Sequence, residues 1–447
     1  MPARPPLAPG PPANLLLGHL GLALTDHISS SWAKVHASHG DTFGLRMGPP
    51  GVGYRLTVTR DPESIGYVLG ATSPFDKENH PFFEAFRDLL GTGLFSAYGE
   101  DWRWQRRVLQ PLFTAKQSAS YAGLVRKRAE EFTSRWIDAD GPLPLRSEIL
   151  RLTLMVVTDL LFGQGREDLA DRLEAHFPTI SAYVIERAFN PLRLPRSTPL
   201  PAIRRREAAV AEVYDLVDDV LAGAEATEDS FVGRLREAVD PETGRRFTDA
   251  EIRDQVLVFV AAGHDTTATA LTMALQLVGL HPEAQARAAA EVDEVGPVDS
   301  AETAGRLAWT TAVIDETMRL YPSAPGTGRQ ATADTEVDGY FVPKGSNVYT
   351  NFWGVHRHPD LWTHPEAFQP QRFVDVPALE RPRHTYLPFG SGPRACIGAH
   401  TAVLEMQIIL STVLERAEVV ATTRDMPVHT AITLAPAVDL PAEFHRR

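Results

Sequence analysis

The stretch from Thr248 to Leu280 constrains this chain more than any other. Thr248 and Glu251 are spaced as a capping box, and Phe247 with Ile252 as a hydrophobic staple, so a helix is predicted to open here. It runs to about Leu280, just before His281-Pro282. At a rise of about 1.5 Å per residue it is ~48 Å long, enough to cross the whole molecule. Val256 to Leu275 is nearly apolar all round, which predicts a buried helix. Its middle nevertheless reads Ala262-Gly-His-Asp265-Thr266-Thr267. A glycine there costs about 1 kcal/mol relative to alanine, and an unpaired buried carboxylate costs more. A structural account exists, since threonine can bond back to a carbonyl and aspartate can pair with a distant base. It is the weaker account, because every substitution in the block works against a stable helix. Gly263 lets a flat ligand approach the backbone, and Asp265 and Thr266 are placed to relay protons to it.

The second constraint is Phe389-Gly-Ser-Gly-Pro-Arg-Ala-Cys-Ile-Gly398, which holds the only cysteine in 447 residues. A lone cysteine is usually a small buried hydrophobe, but its flanks change the reading. Gly390, Gly392 and Gly398 permit backbone angles and close approaches that other residues resist, and Pro393 stiffens the turn. Ala395 to Ala417 is mostly helix-forming, which puts Cys396 at or just before a helix N-terminus. The dipole there favours a thiolate, and Arg394 adds a cation two residues away. Phe389 offers a flat face for a flat cofactor. The pattern Phe389-x-x-Gly392-x-Arg394-x-Cys396-x-Gly398 resembles the haem-binding loop of the cytochrome P-450 family. That resemblance implies that Cys396 is the axial ligand of a haem iron, a thiolate that pushes electron density onto the metal and favours O–O cleavage. The block around Gly263 is similar to the family's oxygen-activation motif, Ala/Gly-Gly-x-Asp/Glu-Thr-Thr. Asp265 and Thr266 then match its acid–alcohol pair, which delivers protons as dioxygen is reduced.

Other stretches are read with that family in view. Trp102 and Arg106 are four apart and share a helix face, and arginine binds carboxylates in bidentate fashion. Alone they describe a solvated basic helix. The resemblance places them, with Arg329, against the haem propionates. Arg103 and Arg107, about 100° round the helix, become candidates for docking an acidic electron donor. Glu316 and Arg319 with Arg372 resemble the family's buried ion network, although Gln371 stands where the motif usually has Glu. The resemblance makes Phe82, Phe86, Phe95, Tyr183, Ala262, Thr267, Pro325, Gly326 and Ile432 candidates for the substrate pocket, with Ile432 in a strand Ala431–Leu434. Phe177, Ile180, Val184 and Phe189, before the breaker-rich loop Pro191–Pro201, are further channel candidates.

Elsewhere, residues 42–60 alternate as a strand pair, and Asp61-Pro-Glu-Ser opens a short helix. Residues 118–165 and 202–226 read as amphipathic helices. His356, His358 and His364 have no carboxylate or cysteine at ligand spacing and read as surface or loop residues. A net charge of −13 argues against nucleic acid as a partner. The segment 1–14 is proline-rich, as at the start of the same family. The apolar run Leu15–Leu24 is about ten residues, short of the ~20 a membrane helix needs, so no membrane anchor and a cytoplasmic location are expected.

The expectation is therefore one mainly α domain over 1–447 with small peripheral β-sheets, the cytochrome P-450 fold, and haem b between the long helix and the Cys396 loop. The implied reaction is monooxygenation of an apolar small molecule by O2, in a monomer that takes electrons from a separate ferredoxin and ferredoxin reductase. A terpenoid or similar biosynthetic intermediate of secondary metabolism is the preferred substrate class, a fatty acid the next. No arginine stands out as a carboxylate anchor, leaving Arg87 and Arg187 to be placed. Rivals are a peroxide-driven relative, which tends to lack the acid–alcohol pair, a haem sensor or electron carrier without turnover, and a haem-free structural protein.

Overall fold

In the computed structural model the central helix covers Asp249–Leu280. Its capping box closes, with Thr248 Oγ1 accepting from the Glu251 amide at 3.3 Å and Glu251 Oε2 accepting from the Thr248 amide at 2.9 Å. Two N–H groups that a helix start leaves without partners are thereby satisfied. Phe247 stacks on Trp104 with ring centroids 4.6 Å apart, which ties the helix start to the helix Gly99–Leu109. The structure describes residues 4–23, 28–51, 53–163, 171–173, 175, 176, 179, 182–184, 186, 198, 200–223, 230–430 and 432–447. Phe177, Ile180, Arg187, Phe189 and the loop 191–197 lie outside the described residues.

Helices pack round the central one because its apolar surface faces in every direction. Leu145–Phe162 runs along it, almost every residue from Leu152 to Phe162 being buried. Ala399–Arg416 packs on the other side and lies against Ala122–Ile137. Near its end the central helix meets the strand Ala417–Ala421, and a Cβ on Gly279 would sit 2.8 Å from the Ala421 backbone nitrogen. Only a glycine fits that approach. The stretch 118–165, read as amphipathic helices, holds the end of the short helix Ala115–Ala119 and two long helices, Ala122–Ile137 and Leu145–Phe162. The long helices are separated by residues 138–144, where Gly141 takes a φ of +91° that an L side chain resists.

The sheets are small and peripheral. The largest has the strand order Thr42–Met47, Tyr54–Thr59, Asn347–Asn351, Gly326–Ala331, Phe75–Asp76. The expected pair 42–60 is antiparallel, with Phe43 opposite Val58. Asp61 caps the next helix, Pro62–Leu69, by accepting from the Ser64 amide at 2.7 Å. The pairing of Phe75–Asp76 with Ala331–Gln330 brings two distant stretches to one wall of the interior. Leu434–Pro436 pairs with Val428–Thr430, so Ile432 sits in the turn between strands and not in a strand as expected.

Two histidines also correct the sequence reading. His356 and His358 are buried, at 0% and 7% exposure. His356 Nε2 accepts from the Leu387 amide at 2.7 Å, and burial pushes its pKa down to about 3, so it serves the core as a neutral acceptor. His358 Nε2 contacts Asp41 Oδ1 at 3.1 Å. Of these three histidines His364 alone is exposed. Among the described residues no group of His, Cys, Asp and Glu is placed to hold a bare metal ion.

The Glu316 network is in place. Arg319 donates to both Glu316 oxygens at 2.7 and 2.9 Å, and to the carbonyls of His356, Pro365 and Ala367. Arg372 Nε adds a bond to Glu316 Oε1 at 3.1 Å. Gln371 turns outward, accepting from Arg287 at 2.7 Å and donating to Asp375 at 2.8 Å, so a neutral residue suits that position.

Candidate active site

Between the central helix and the Cys396 loop lies a cavity of about 490 Å³, within the range of small-molecule and cofactor sites. On one side it is lined by Ala262, Gly263, Thr266 and Thr267, on the other by Phe389, Ala395, Cys396 and Gly398. The loop is held by short local bonds: the Cys396 amide donates to the Phe389 carbonyl at 2.9 Å and the Ala395 amide to that of Gly392 at 3.0 Å. Gly392 has a φ of +73°, and a Cβ there would lie 2.0 Å from the Leu69 carbonyl oxygen, so this position tolerates glycine alone. The helix that follows starts at Ala399, placing Cys396 just ahead of its N-terminus as the sequence indicates.

Cys396 is exposed to the cavity while lying deep in the molecule. Burial pushes its thiol up; the Gly398 amide and the Arg106 guanidinium pull it down. The cation acting on the thiol is thus Arg106, whose Nη1 donates to the Ala395 carbonyl at 3.2 Å, and not Arg394. Arg394 donates to Asp76 at 3.0 Å and to the Ala97 carbonyl at 2.8 Å, and its guanidinium covers the Trp102 ring at 4.3 Å. Arg107, a candidate for donor docking, is bound bidentately by Asp240 at 3.1 and 2.9 Å and holds that carboxyl well below the usual carboxylate range. It is a structural residue. Arg103 is exposed and pairs with Glu100.

The cavity wall near Cys396 carries more positive charge than the sequence disclosed. Trp102, Arg106, Arg329 and Arg394 line it as expected, joined by Lys77 and His80. Arg329 is buried and bonds only Thr327 Oγ1 and the Gly328 carbonyl, so burial and the neighbouring Arg394 push its pKa down to about 9. Lys77 is buried too and donates to the Phe95 carbonyl at 2.8 Å, and burial beside Arg329 and Arg394 depresses it strongly. Among the described residues neither Arg329 nor Lys77 forms an ion pair. Buried cations without counter-ions are costly, so this wall fits a ligand that brings carboxylates. A cavity lined by Cys396 and Phe389 from the loop, by Gly263 from the central helix and by these cations fits a haem with its two propionates. Lys77 was missed because nothing in Phe75-Asp76-Lys77 marks it. The pairing of that strand with Ala331–Gln330 is what brings it beside Arg329.

The acid and the alcohol do not share one environment. Thr266 lines the cavity and donates its hydroxyl to the Ala262 carbonyl at 2.6 Å. Asp265 does not line it; it accepts from Arg146 at 3.2 Å and from the Thr433 hydroxyl. Gly263 lines the cavity, and a Cβ there would also come within 3.1 Å of Val157, so packing contributes to the choice of glycine.

Much of the cavity wall is apolar, and part of it, Phe83 and Phe95, lies against Lys77 at 4.2 and 4.6 Å. Phe82, Phe83, Leu94, Phe95, Leu112, Phe113, Val157, Leu160, Leu161, Phe231, Val258, Phe259, Pro325, Gly326 and Ile432 line the cavity. Two pocket candidates do not. Phe86 is buried behind this wall, its ring 4.8 Å from that of Phe95, and Tyr183 is buried beneath the Arg206 guanidinium at 3.8 Å. Helical spacing gave Phe82 and Phe86 one face, but the layer they form is two rings deep. Arg87 is tied to the carbonyls of Ser96 and Glu78 and does not reach the cavity.

With this geometry in hand, comparison with known proteins gives the class. The cytochrome P-450 family model matches residues 8–437. The chain belongs to that family: it is a haem-dependent cytochrome P-450 monooxygenase, an oxidoreductase that uses O2 and takes electrons from a redox partner. It is similar to a crystallised cytochrome P-450 haem domain with a TM-score of 0.87 at 27% identity, covering 100% of this chain and 99% of the other. Among curated proteins it is 35% identical over 389 residues to cyclooctatin synthase of Streptomyces melanosporofaciens, covering 85% of this chain and 83% of the relative. It is 33% identical over 407 residues to cyclooctat-9-en-7-ol 5-monooxygenase of the same organism, covering 90% and 87%. Pentalenene oxygenase of Streptomyces avermitilis is 30% identical over 386 residues, covering 85% and 84%.

Proposed function

We propose that this chain works as one domain holding haem b, and inserts one oxygen atom into a C–H or C=C bond of a cyclic terpenoid in secondary metabolism. The observation that carries the substrate class is the distribution of charge in the cavity. Its arginines and lysine among the described lining residues, Lys77, Arg106, Arg329 and Arg394, are electrostatically coupled neighbours of one another or of Cys396, and most of the other lining side chains are aromatic or aliphatic. A compact hydrocarbon or alcohol suits such a wall, because burying apolar area drives binding at about 25 cal/mol per Å². A fatty acid would need a cation at the far end, and Arg87 is already engaged by backbone carbonyls. Two relatives named for oxygenation of cyclooctat-9-en-7-ol and of pentalenene, a cyclic alcohol and a cyclic hydrocarbon, support the same reading.

Cys396 would bind the iron, and Arg329, Lys77, Arg106, Arg394 and Trp102 would receive the propionates. The haem supplies the two-electron activation of O2, so that substrate RH, O2, two electrons and two protons give ROH and water. The chain's own residues hold the substrate and meter the protons. Thr266 presents its oxygen at the cavity wall, fixed there by its bond to Ala262. Asp265 is the carboxylate that passes protons inward from the Arg146 side. The apolar rings exclude competing water. Separate donors, a ferredoxin and its reductase, are the simplest source of electrons for a cytoplasmic monomer of this kind.

Optical titration of the purified protein with terpene hydrocarbons and fatty acids tests this. Ligands that displace iron-bound water change the haem spin state. A spin shift with compact terpenoids and none with fatty acids is expected. A shift with fatty acids alone would reverse the substrate assignment.

A further inference from the structure

Asp265 is held by two groups from distant parts of the chain. Arg146, in the first turn of Leu145–Phe162, donates Nη2 to Oδ1 at 3.2 Å, and Thr433 donates its hydroxyl to Oδ2. Both carboxylate oxygens are therefore engaged on the side away from the cavity, although Ala262, Gly263, Thr266 and Thr267 on the same helix line it. The Arg146–Asp265 pair is only about one-fifth exposed, with side chains at 20% and 23%. Thr433 is buried and follows Ile432, which lines the pocket. The next residue, Leu434, donates its amide to the Ser323 carbonyl at 2.8 Å, and Ser323 Oγ donates to the Thr266 carbonyl at 2.7 Å. One turn thus touches the substrate wall through Ile432 and the acid through Thr433. Through Ser323 it also reaches the backbone of the alcohol.

Resting on the proposed function, we propose that Arg146 and Thr433 are positioning residues for Asp265, and that the turn carrying Ile432 and Thr433 frees the carboxylate when a substrate presses on Ile432. The two restraints differ in kind. Arg146 is fixed on a helix and holds Oδ1 through a charge-assisted bond at 3.2 Å. Thr433 stands on a turn and supplies one directional bond, which a small displacement breaks because hydrogen bonds weaken steeply with misalignment. Releasing Oδ2 while Oδ1 stays on Arg146 lets the carboxylate rotate toward Thr266. Protons then reach the cavity when substrate is seated and are withheld otherwise, which limits wasteful consumption of electrons.

The test uses the haem-loaded protein with a plant-type ferredoxin and its reductase, and the variants Thr433→Val, Thr433→Ser, Arg146→Leu and Asp265→Asn. Two quantities are read without substrate: the rate of NADPH consumption, and the infrared carboxylate band identified by its loss in Asp265→Asn. Thr433→Val is expected to consume NADPH at least threefold faster than wild type and to shift that band, and Thr433→Ser to restore both. Arg146→Leu, read in the same way, carries the test should the valine variant not fold. A wild-type band and rate in Thr433→Val, or a serine variant that behaves like valine, overturns the coupling. A third reading adds a tricyclic terpene hydrocarbon as substrate: Asp265→Asn with a wild-type yield of oxidised product per NADPH overturns the acid role beneath it as well. An affected Asp265→Asn beside a silent Thr433→Val overturns the turn's role alone.

Discussion

Arg106 donates Nη1 to the carbonyl of Ala395 at 3.2 Å, joining positions 289 residues apart in the chain. The bond clamps the helix Gly99–Leu109 to the residue before Cys396 and brings up the guanidinium whose charge lowers the thiol. Arg106→Leu should leave the fold intact by circular dichroism and weaken haem retention several-fold, because one bond holding the loop and one cation facing the cavity go together. Haem retention equal to wild type on gel filtration would show that Arg106 is dispensable to the site.

The buried cations give a prediction with two opposite signs. Arg329 and Lys77 are stabilised by an anionic ligand and are a burden without one. A hydrogen bond to a charged group contributes about 1.5–3 kcal/mol, so Lys77→Met should weaken haem binding by roughly 10- to 100-fold. The same substitution should raise the melting temperature of the haem-free protein. Competitive transfer of haem to apomyoglobin measures the first effect and calorimetry the second. Equal haem affinity in the variant would remove Lys77 from the propionate site.

Thr266 lines the cavity, and in the proposed function its hydroxyl is the last group of the proton path. Thr266→Ala should keep haem content and substrate affinity while most electrons leave as peroxide. General acid–base contributions of this type are worth about 10²- to 10⁴-fold. Peroxide yield and product yield per NADPH check it, and tight coupling in the alanine variant would rule out the relay.

Glu405 offers a pH signature. It lines the cavity, is 4% exposed, and its Oε1 has no hydrogen-bond partner. Burial pushes its carboxyl up to about 8 from an ordinary 4.5. Between those values the folded chain keeps a proton that the unfolded chain releases. Stability from this group is therefore complete below about pH 4.5 and falls toward pH 8, by at most about 1.4 kcal/mol per unit. Subtracting the stability–pH curve of Glu405→Gln from that of wild type should give a downward slope across that window. A flat difference would mean that the carboxylate finds a counter-charge.

What could be read from the sequence was local. The capping box at Thr248, the polar block in an apolar helix and the glycines round Cys396 are short-range patterns whose physics does not depend on the rest of the fold. Glu316 and Arg319 were legible for the same reason, being one helical turn apart. Apart from the strand expected at Ile432 and the break within 118–165, the misreadings were tertiary. Lys77 reaches Arg329 only through the pairing of Phe75–Asp76 with Ala331–Gln330. Asp265 faces away from the cavity because Arg146 and Thr433 lie on its other side. His356 is buried because a distant loop amide, Leu387, needs an acceptor. Phe86 and Phe82 share a helix face, and only the depth of packing tells which one meets the cavity.

The most direct measurement is turnover under isotopically labelled dioxygen, with a ferredoxin and its reductase, on a set of tricyclic terpene hydrocarbons and on palmitate. The account expects a monohydroxylated or epoxidised terpene that carries one labelled oxygen atom, and no oxidation of palmitate. Labelled hydroxypalmitate with untouched terpenes would contradict the reading of the apolar wall, and product oxygen drawn from water would contradict the mechanism itself.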